Sequence, residues 1–186
     1  MHPIYQWFFP AVWSTWLAYW YISAIGVRRA KRALSGGARI MLIAEVLVAI
    51  WLLSTNRFDG TWLAAPILRP SAAQFWIGAA VTVLGLGFSV WARVYLGEYW
   101  SGNVTLKEGH RLIRTGPYAR VRHPIYTGIL LGMIGSAIAL DQPRAVLAVA
   151  IMFVSFLRKL RKEEEWLTEE FGEEYLRYKR EVRMLL

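Results

Sequence analysis

From Met1 to Val27 the chain carries no Asp, Glu, Lys or Arg, and the same holds from Pro70 to Ala92. These runs of 27 and 23 positions exceed the roughly 20 residues that a helix needs to cross the hydrocarbon core of a bilayer. The whole chain is 186 residues, a single domain's worth, with 56% hydrophobic residues and 19% charged ones. A soluble domain carries about 25% charge and spreads its apolar residues around a core. A disordered chain and an ordinary soluble enzyme are thereby excluded. The absence of cysteine removes disulfides, thiolate–metal bonds and thiol nucleophiles. Three histidines (His2, His110, His123) without HExxH spacing argue against a catalytic zinc, so no metal is expected. No cleaved signal peptide is expected either. The first apolar run is too long, lacks a basic start and ends in Arg28-Arg29-Ala30-Lys31-Arg32.

Five spans are expected, at about Pro3–Val27, Ile40–Thr55, Ala72–Val94, Pro124–Leu140 and Ala145–Leu157. The last is short and relies on Arg144 and Arg158 reaching the interfaces. Asp141-Gln142-Pro143 is the whole connection between the last two, which makes them a tight helical hairpin. Basic residues then set the orientation. Nineteen of the 22 lie after span one, at the end of span three with its following loop, or in the tail beyond span five. Only Arg57, Arg69 and Arg144 lie on the other side, which puts the N-terminus outside and the C-terminus in the cytoplasm. The net charge of +9 is therefore an attraction to an anionic inner leaflet, and no nucleic-acid partner is called for. The fold class is all-α integral membrane, with five transmembrane helices, a C-terminal hairpin, cytoplasmic tail helices and no Rossmann domain. Residues 1–96 form the three N-terminal spans and residues 97–186 the catalytic region.

Gly128, Gly132 and Ser136 recur every four positions along span four, with Gly135 beside them, and Gly78, Thr82 and Gly85 make a similar stripe, at steps of four and three, over a shorter reach of span three. Such stripes predict close helix packing. Glu45 lies about 9 Å into span two at helical rise, and a pairing with Arg93 is expected.

The polar chemistry is concentrated in Gly97–His123 and Arg158–Leu186. Gly116-Pro117 is a turn, and Pro124 opens span four with His123 at its N-cap. The tail continues span five through Arg158-Lys159-Leu160-Arg161-Lys162-Glu163-Glu164-Glu165, breaks at Phe171-Gly172, and resumes as a short helix over Glu173–Tyr178. Three consecutive carboxylates beside an anionic leaflet need a reason beyond solvation.

The run Gly116-x-Tyr118-x-x-x-Arg122-His123-Pro124-x-Tyr126-x-Gly128 is followed about 35 residues later by Glu163-Glu164 and Phe171-Gly172-x-x-Tyr175. This pair of motifs resembles the isoprenylcysteine carboxyl methyltransferase family, which is allied to the membrane phospholipid N-methyltransferases. The resemblance covers roughly Asn103 to Val182. It implies an S-adenosyl-L-methionine site between the hairpin's cytoplasmic end and the tail. The residues it assigns to the cofactor are Asn103, His110, Arg111, Leu112, Ile113, Tyr118, Arg122, His123, Pro124, Ile125, Tyr126 and Glu163. Lys159 occupies the place of an arginine that contacts the substrate carboxylate, and Glu164 is the nearest base for an amine acceptor. Lysine lacks arginine's bidentate fork, so the acceptor is left open between carboxyl O- and amine N-methylation.

The chemistry of these residue types agrees with such a site. Tyrosine faces stabilise a sulfonium, and a carboxylate accepts from ribose hydroxyls or an ammonium. The expected partners are the bilayer and a lipid or prenylated small-molecule acceptor, reached through a lateral opening lined by Gly128 and Gly132. If the host is bacterial, the location is the plasma (inner) membrane. The alternative is a membrane reductase using NADPH on a sterol- or isoprenoid-like substrate, because sterol reductases carry a similar Arg-His-x-x-Tyr-x-Gly stretch. Those tend to place an acidic residue after the glycine, where this chain has Ile129.

Overall fold

The computed structural model describes residues 3–25, 35–97 and 112–185, with side chains from Trp7 onward in the first stretch. The architecture is all-helical: α1 (Pro3–Ala24), α2 (Gly36–Ser54), α3 (Ala72–Leu96), α4 (Pro124–Leu140), α5 (Pro143–Phe171) and α6 (Glu173–Glu181). Short 3-10 turns lie at Trp62–Ala64 and Gly116–Ala119. Among the described residues, α2 and α3 are long and apolar enough to cross a membrane, and α4 is a shorter apolar helix. Helix α2 buries only Ala49 and Leu52. Ile40, Ile43, Leu47, Ile50 and Trp51 are left facing outward, more contiguous apolar surface than water tolerates.

Helices α3 and α4 lie backbone to backbone. A Cβ at Gly78 would stand 2.5 Å from the Gly135 carbonyl, and one at Gly128 the same distance from the Gly85 carbonyl. The gap is closed by polar side chains as well as glycine. The Thr82 hydroxyl, fully buried, lies 2.9 Å from the Gly78 carbonyl and 3.1 Å from that of Gly132 across the interface. Helix α1 is stitched to the same pair by indoles: Trp13 donates to the Ser136 hydroxyl at 3.0 Å and Trp16 to that of Ser89 at 2.8 Å. The small-residue stripes are thus packing surfaces. Gly128 faces Ser89 and the Gly85 carbonyl, and Gly132 faces Leu86 and Trp13, so the expected opening lined by these two glycines is filled.

Helix α2 packs instead on α5, where Ala49 and Leu52 join Leu130, Met133, Ala148, Met152 and Phe156 in one apolar cluster. At one end Arg144 donates to the Leu52 and Thr55 carbonyls, capping α2. Toward the other end Glu45 pairs with Arg158 and accepts from the Ser155 hydroxyl at 2.5 Å. The expected Glu45–Arg93 pair does not form. Arg93 donates to the Ser23 carbonyl at 2.6 Å and to the Gly97 carbonyl, tying α1 to the end of α3. Register along the α2–α5 seam decides this, because it brings Glu45 against residues 110 and 113 positions away.

The hairpin turn is as short as its sequence suggests. Asp141 adopts a left-handed conformation (φ 54°), which aspartate tolerates when its side chain is engaged. Its carboxylate accepts from the Leu68 N–H and its carbonyl from that of Ile67, anchoring the connection before α3. Helix α5 runs unbroken into the polar segment and ends at Gly172 (φ 52°), where α6 turns back.

Candidate active site

The site gathers at the end of the bundle where α4 begins and the polar extension of α5 leaves the apolar core. Pro124 occupies the first turn of α4, where a missing N–H costs nothing, and it is fully buried. His123 is the N-cap residue. Its backbone N–H is given to the Met184 carbonyl at 3.2 Å, and that of Arg122 to the Arg183 carbonyl at 2.8 Å. The residues after α6 therefore lie alongside 121–123 in a single parallel bridge, Val121 to Arg183.

Arg122 and Glu164 form the polar centre behind this contact. The Glu164 carboxylate accepts from Arg122 Nε at 2.7 Å, lies 3.3 Å from His123 Nε2 and pairs with Lys179 at 3.2 Å. Arg122 also donates to the carbonyls of Lys179 and Val182. Burial raises the Glu164 pKa. The hydrogen bonds from His123 and Arg122 and the guanidinium charge overcome it and hold the group at about 2. A carboxylate so engaged stays ionised and is a poor proton acceptor. This is not the environment expected of the nearest base.

Tyr118, Ile125, Tyr126, Lys159 and Glu163 come together on the neighbouring face. Tyr118 sits in the 3-10 turn, buried against Ala92 and Ile125 with Ile113 packed beside them. Burial pushes its phenol well above the ordinary range, with Tyr178 and the Glu163 carboxylate adding to the shift, so it remains a neutral hydroxyl. Tyr126 stands edge-on to Phe156, with ring centroids 5.1 Å apart, and carries the Lys159 ammonium 5.1 Å from its ring centre. The Glu163 carboxylate lies near its hydroxyl. One Glu163 oxygen, Oε2, is buried without a hydrogen-bond partner among the described residues, as is the Thr127 hydroxyl in the first turn of α4.

A buried polar atom left unpaired costs about 1–3 kcal/mol, which makes Glu163 a place where a ligand's donors are wanted. The aromatic faces and carboxylate suit a cation that also carries hydroxyls or an ammonium.

Asn103, His110 and Arg111 fall outside the described residues. Leu112 is half-buried beside the 3-10 turn. Among the described residues no three metal-ligating side chains come together. Sequence reasoning missed Tyr178 and Lys179, which close the site from α6. The available signal was the Tyr175/Tyr178 pair, three apart on a helix whose other residues are charged except Leu176, and both are buried.

Residues 77–169 match the profile of the Isoprenylcysteine carboxyl methyltransferase (ICMT) family. Protein-S-isoprenylcysteine O-methyltransferase B of Arabidopsis thaliana is 25% identical over 169 residues, covering 87% of this chain and 82% of the plant protein. The Saccharomyces cerevisiae protein-S-isoprenylcysteine O-methyltransferase is 32% identical over 109 residues, 57% of this chain and 46% of its own. The cobalt-zinc-cadmium resistance protein CzcN of Cupriavidus metallidurans is 28% identical over 140 residues, 73% of this chain and 57% of its own. The matched segment runs from α3 through the hairpin to the end of the α5 extension, and holds Tyr118, His123, Tyr126, Lys159 and Glu163. The chain belongs to the isoprenylcysteine carboxyl methyltransferase family and is a methyltransferase.

Proposed function

We propose that the chain is an integral membrane methyltransferase that uses S-adenosyl-L-methionine to methylate a lipid or prenylated acceptor. The carrying observation is the buried Glu163 oxygen beside Tyr118 and Tyr126 that has no hydrogen-bond partner among the described residues. Bound S-adenosylmethionine supplies an electrophilic methyl group on a sulfonium, with a neutral thioether as the leaving group. Glu163 takes the cofactor's hydroxyl or ammonium donors. Tyr118 and Tyr126 would supply aromatic surroundings for its positive charge, with Ile113 and Ile125 excluding water around them. Asn103, His110, Arg111 and Leu112 belong to the same site by the family motif.

Lys159 lies nearest Tyr126 and is assigned to the acceptor, where its ammonium steadies a carboxylate or other anionic group during attack. A carboxylate nucleophile needs no base. Glu164, paired on both oxygens, is assigned with Arg122 and His123 to fixing the tail behind the site. In this reading five helical spans turn the basic ends of α3 and α5 toward the cytoplasm, and the cofactor site lies at the cytoplasmic surface of the membrane, which is the plasma (inner) membrane if the host is bacterial. Residues 1–96 are the supporting spans and 97–186 the catalytic region. The outward apolar residues of α2 then face lipid.

Titration of the detergent-solubilised protein with S-adenosylhomocysteine, and separately with NADPH, tests the assignment. Binding of the first alone is expected, with Glu163→Gln weakening it about 10- to 150-fold through loss of a charge-assisted hydrogen bond. Unchanged affinity in that variant, or binding of NADPH instead, overturns it.

A further inference from the structure

Tyr178 lies on α6, outside the segment that matches the family and 60 residues from the cofactor loop, yet it reaches that loop. Its hydroxyl donates to the Tyr118 carbonyl at 2.5 Å. Within the 3-10 turn the backbone bonds run to the carbonyls of Thr115 and Pro117. The Tyr118 carbonyl takes its hydrogen from the tail. The donor is itself held. Tyr178 is 2% exposed, its ring meets Tyr175 at a 6.0 Å centroid distance, and the Arg114 guanidinium sits 5.3 Å over its face. Arg114 is in turn paired with Glu181 at the end of α6. Burial pushes the Tyr178 phenol up to about 12 against the opposing charges of Arg122 and Arg114, so the group stays a donor at any working pH.

We propose that Tyr178 is a positioning residue for the cofactor, acting through Tyr118: its hydroxyl fixes the carbonyl of the 3-10 turn and thereby the place of the Tyr118 ring. This rests on the reading of Tyr118 as a cofactor contact. The geometry separates this role from general support of the tail. Arg122 already binds the tail through the carbonyls of Lys179 and Val182, through Glu164 to Lys179, and through the backbone bridge to Arg183. Tyr178→Phe keeps the ring, its burial and the Arg114 contact, and removes the one bond to the turn.

The test is calorimetric titration of S-adenosylhomocysteine into the full chain in detergent, for wild type, Tyr178→Phe, Tyr118→Ala and the double variant, with melting followed in parallel. Tyr178→Phe is expected to weaken binding about 3- to 10-fold, the worth of one neutral hydrogen bond. In the Tyr118→Ala background the same change is expected to cost little further, because the two residues act in series. In turnover, the loss falls on the cofactor KM and not on kcat. Wild-type affinity in Tyr178→Phe overturns the inference, even if the variant melts earlier. An equal loss with and without the Tyr118 ring overturns it as well. A wild type that does not bind S-adenosylhomocysteine overturns the reading of the site itself, and the inference with it.

Discussion

Replacing Glu164 by glutamine removes the one negative charge shared by Arg122, His123 and Lys179 at the base of the tail. Both the carboxylate and the guanidinium are nearly inaccessible, with side-chain exposures of 5% and 8%. Breaking a buried pair from one side costs about 3–5 kcal/mol, because the remaining charge is left uncompensated. The depressed pKa leads to a similar figure. A fall from the usual 4.5 to about 2 corresponds to about 3 kcal/mol in favour of the folded state. Water reaching the cluster past Lys179, which is 35% exposed, screens this toward about 2 kcal/mol. A loss of about 2–3 kcal/mol at pH 7 is therefore expected, which for a chain of this length is a melting shift of about 4–12 °C. Intrinsic fluorescence reads it directly, since the chain has 10 tryptophans.

The pH dependence has a definite sign. The folded pKa is depressed, so the stabilisation is complete above 4.5 and is lost as pH falls through the folded value near 2. The gap between wild type and Glu164→Gln is expected to be flat down to about pH 4.5 and to close toward pH 2. A variant that melts with the wild type at pH 7 refutes the clamp. So does a variant of unchanged stability that has lost turnover with an amine acceptor, which would restore Glu164 as the base.

Gly85→Ala is expected to destabilise by about 1–3 kcal/mol, because its Cβ would lie 2.7 Å from the Gly132 backbone nitrogen and α3 cannot yield without leaving α4. Gly87→Ala, with nothing within 4 Å of the new atom, is expected to be neutral or to stabilise by up to about 1 kcal/mol, and paired melting curves compare the two. Arg144→Gln uncaps the Leu52 and Thr55 carbonyls and is expected to cost about 1.5–3 kcal/mol, with hydrogen exchange rising at the end of α2. Arg158→Gln leaves the Glu45 carboxylate, within α2, with its Ser155 bond but without the Arg158 cation, and is expected to cost about 1–3 kcal/mol in the same melting assay.

Features set by neighbours along the chain were legible before any coordinates. The turn at Asp141-Gln142, the stop at Gly172 and the start at Pro124 each follow from a residue with a restricted or unusually free backbone, and each stands where expected. The glycine stripes were legible as well, since close approach needs small residues at regular spacing and little else. Partner choice among charges was not. Glu45 had several arginines at a comparable depth, and only the packing of α2 on α5 selects Arg158 over Arg93. The bridge from Val121 to Arg183 is a single pair of residues with no alternating pattern to announce it. Tyr126, Lys159 and Glu163 were nameable from the motif. That a Glu163 oxygen has no partner among the described residues while the adjacent Glu164 spends both is a matter of one residue's turn around α5, about 100°.

The pairing of 121–123 with 182–184 also bears on how the protein is made. Arg122 emerges from the ribosome 60 residues before Val182, the carbonyl to which its guanidinium donates. At bacterial or eukaryotic elongation rates of about 5–20 residues per second, that is an interval of roughly 3–12 s. In the last part of it, once α5 has emerged, the hairpin can be in place while the mouth of the site has no backbone partner at 182–184. The candidate site is thus among the last parts of the molecule to acquire its shape, and a chain cut short before Tyr178 would keep the hairpin but lose the donor to the Tyr118 carbonyl.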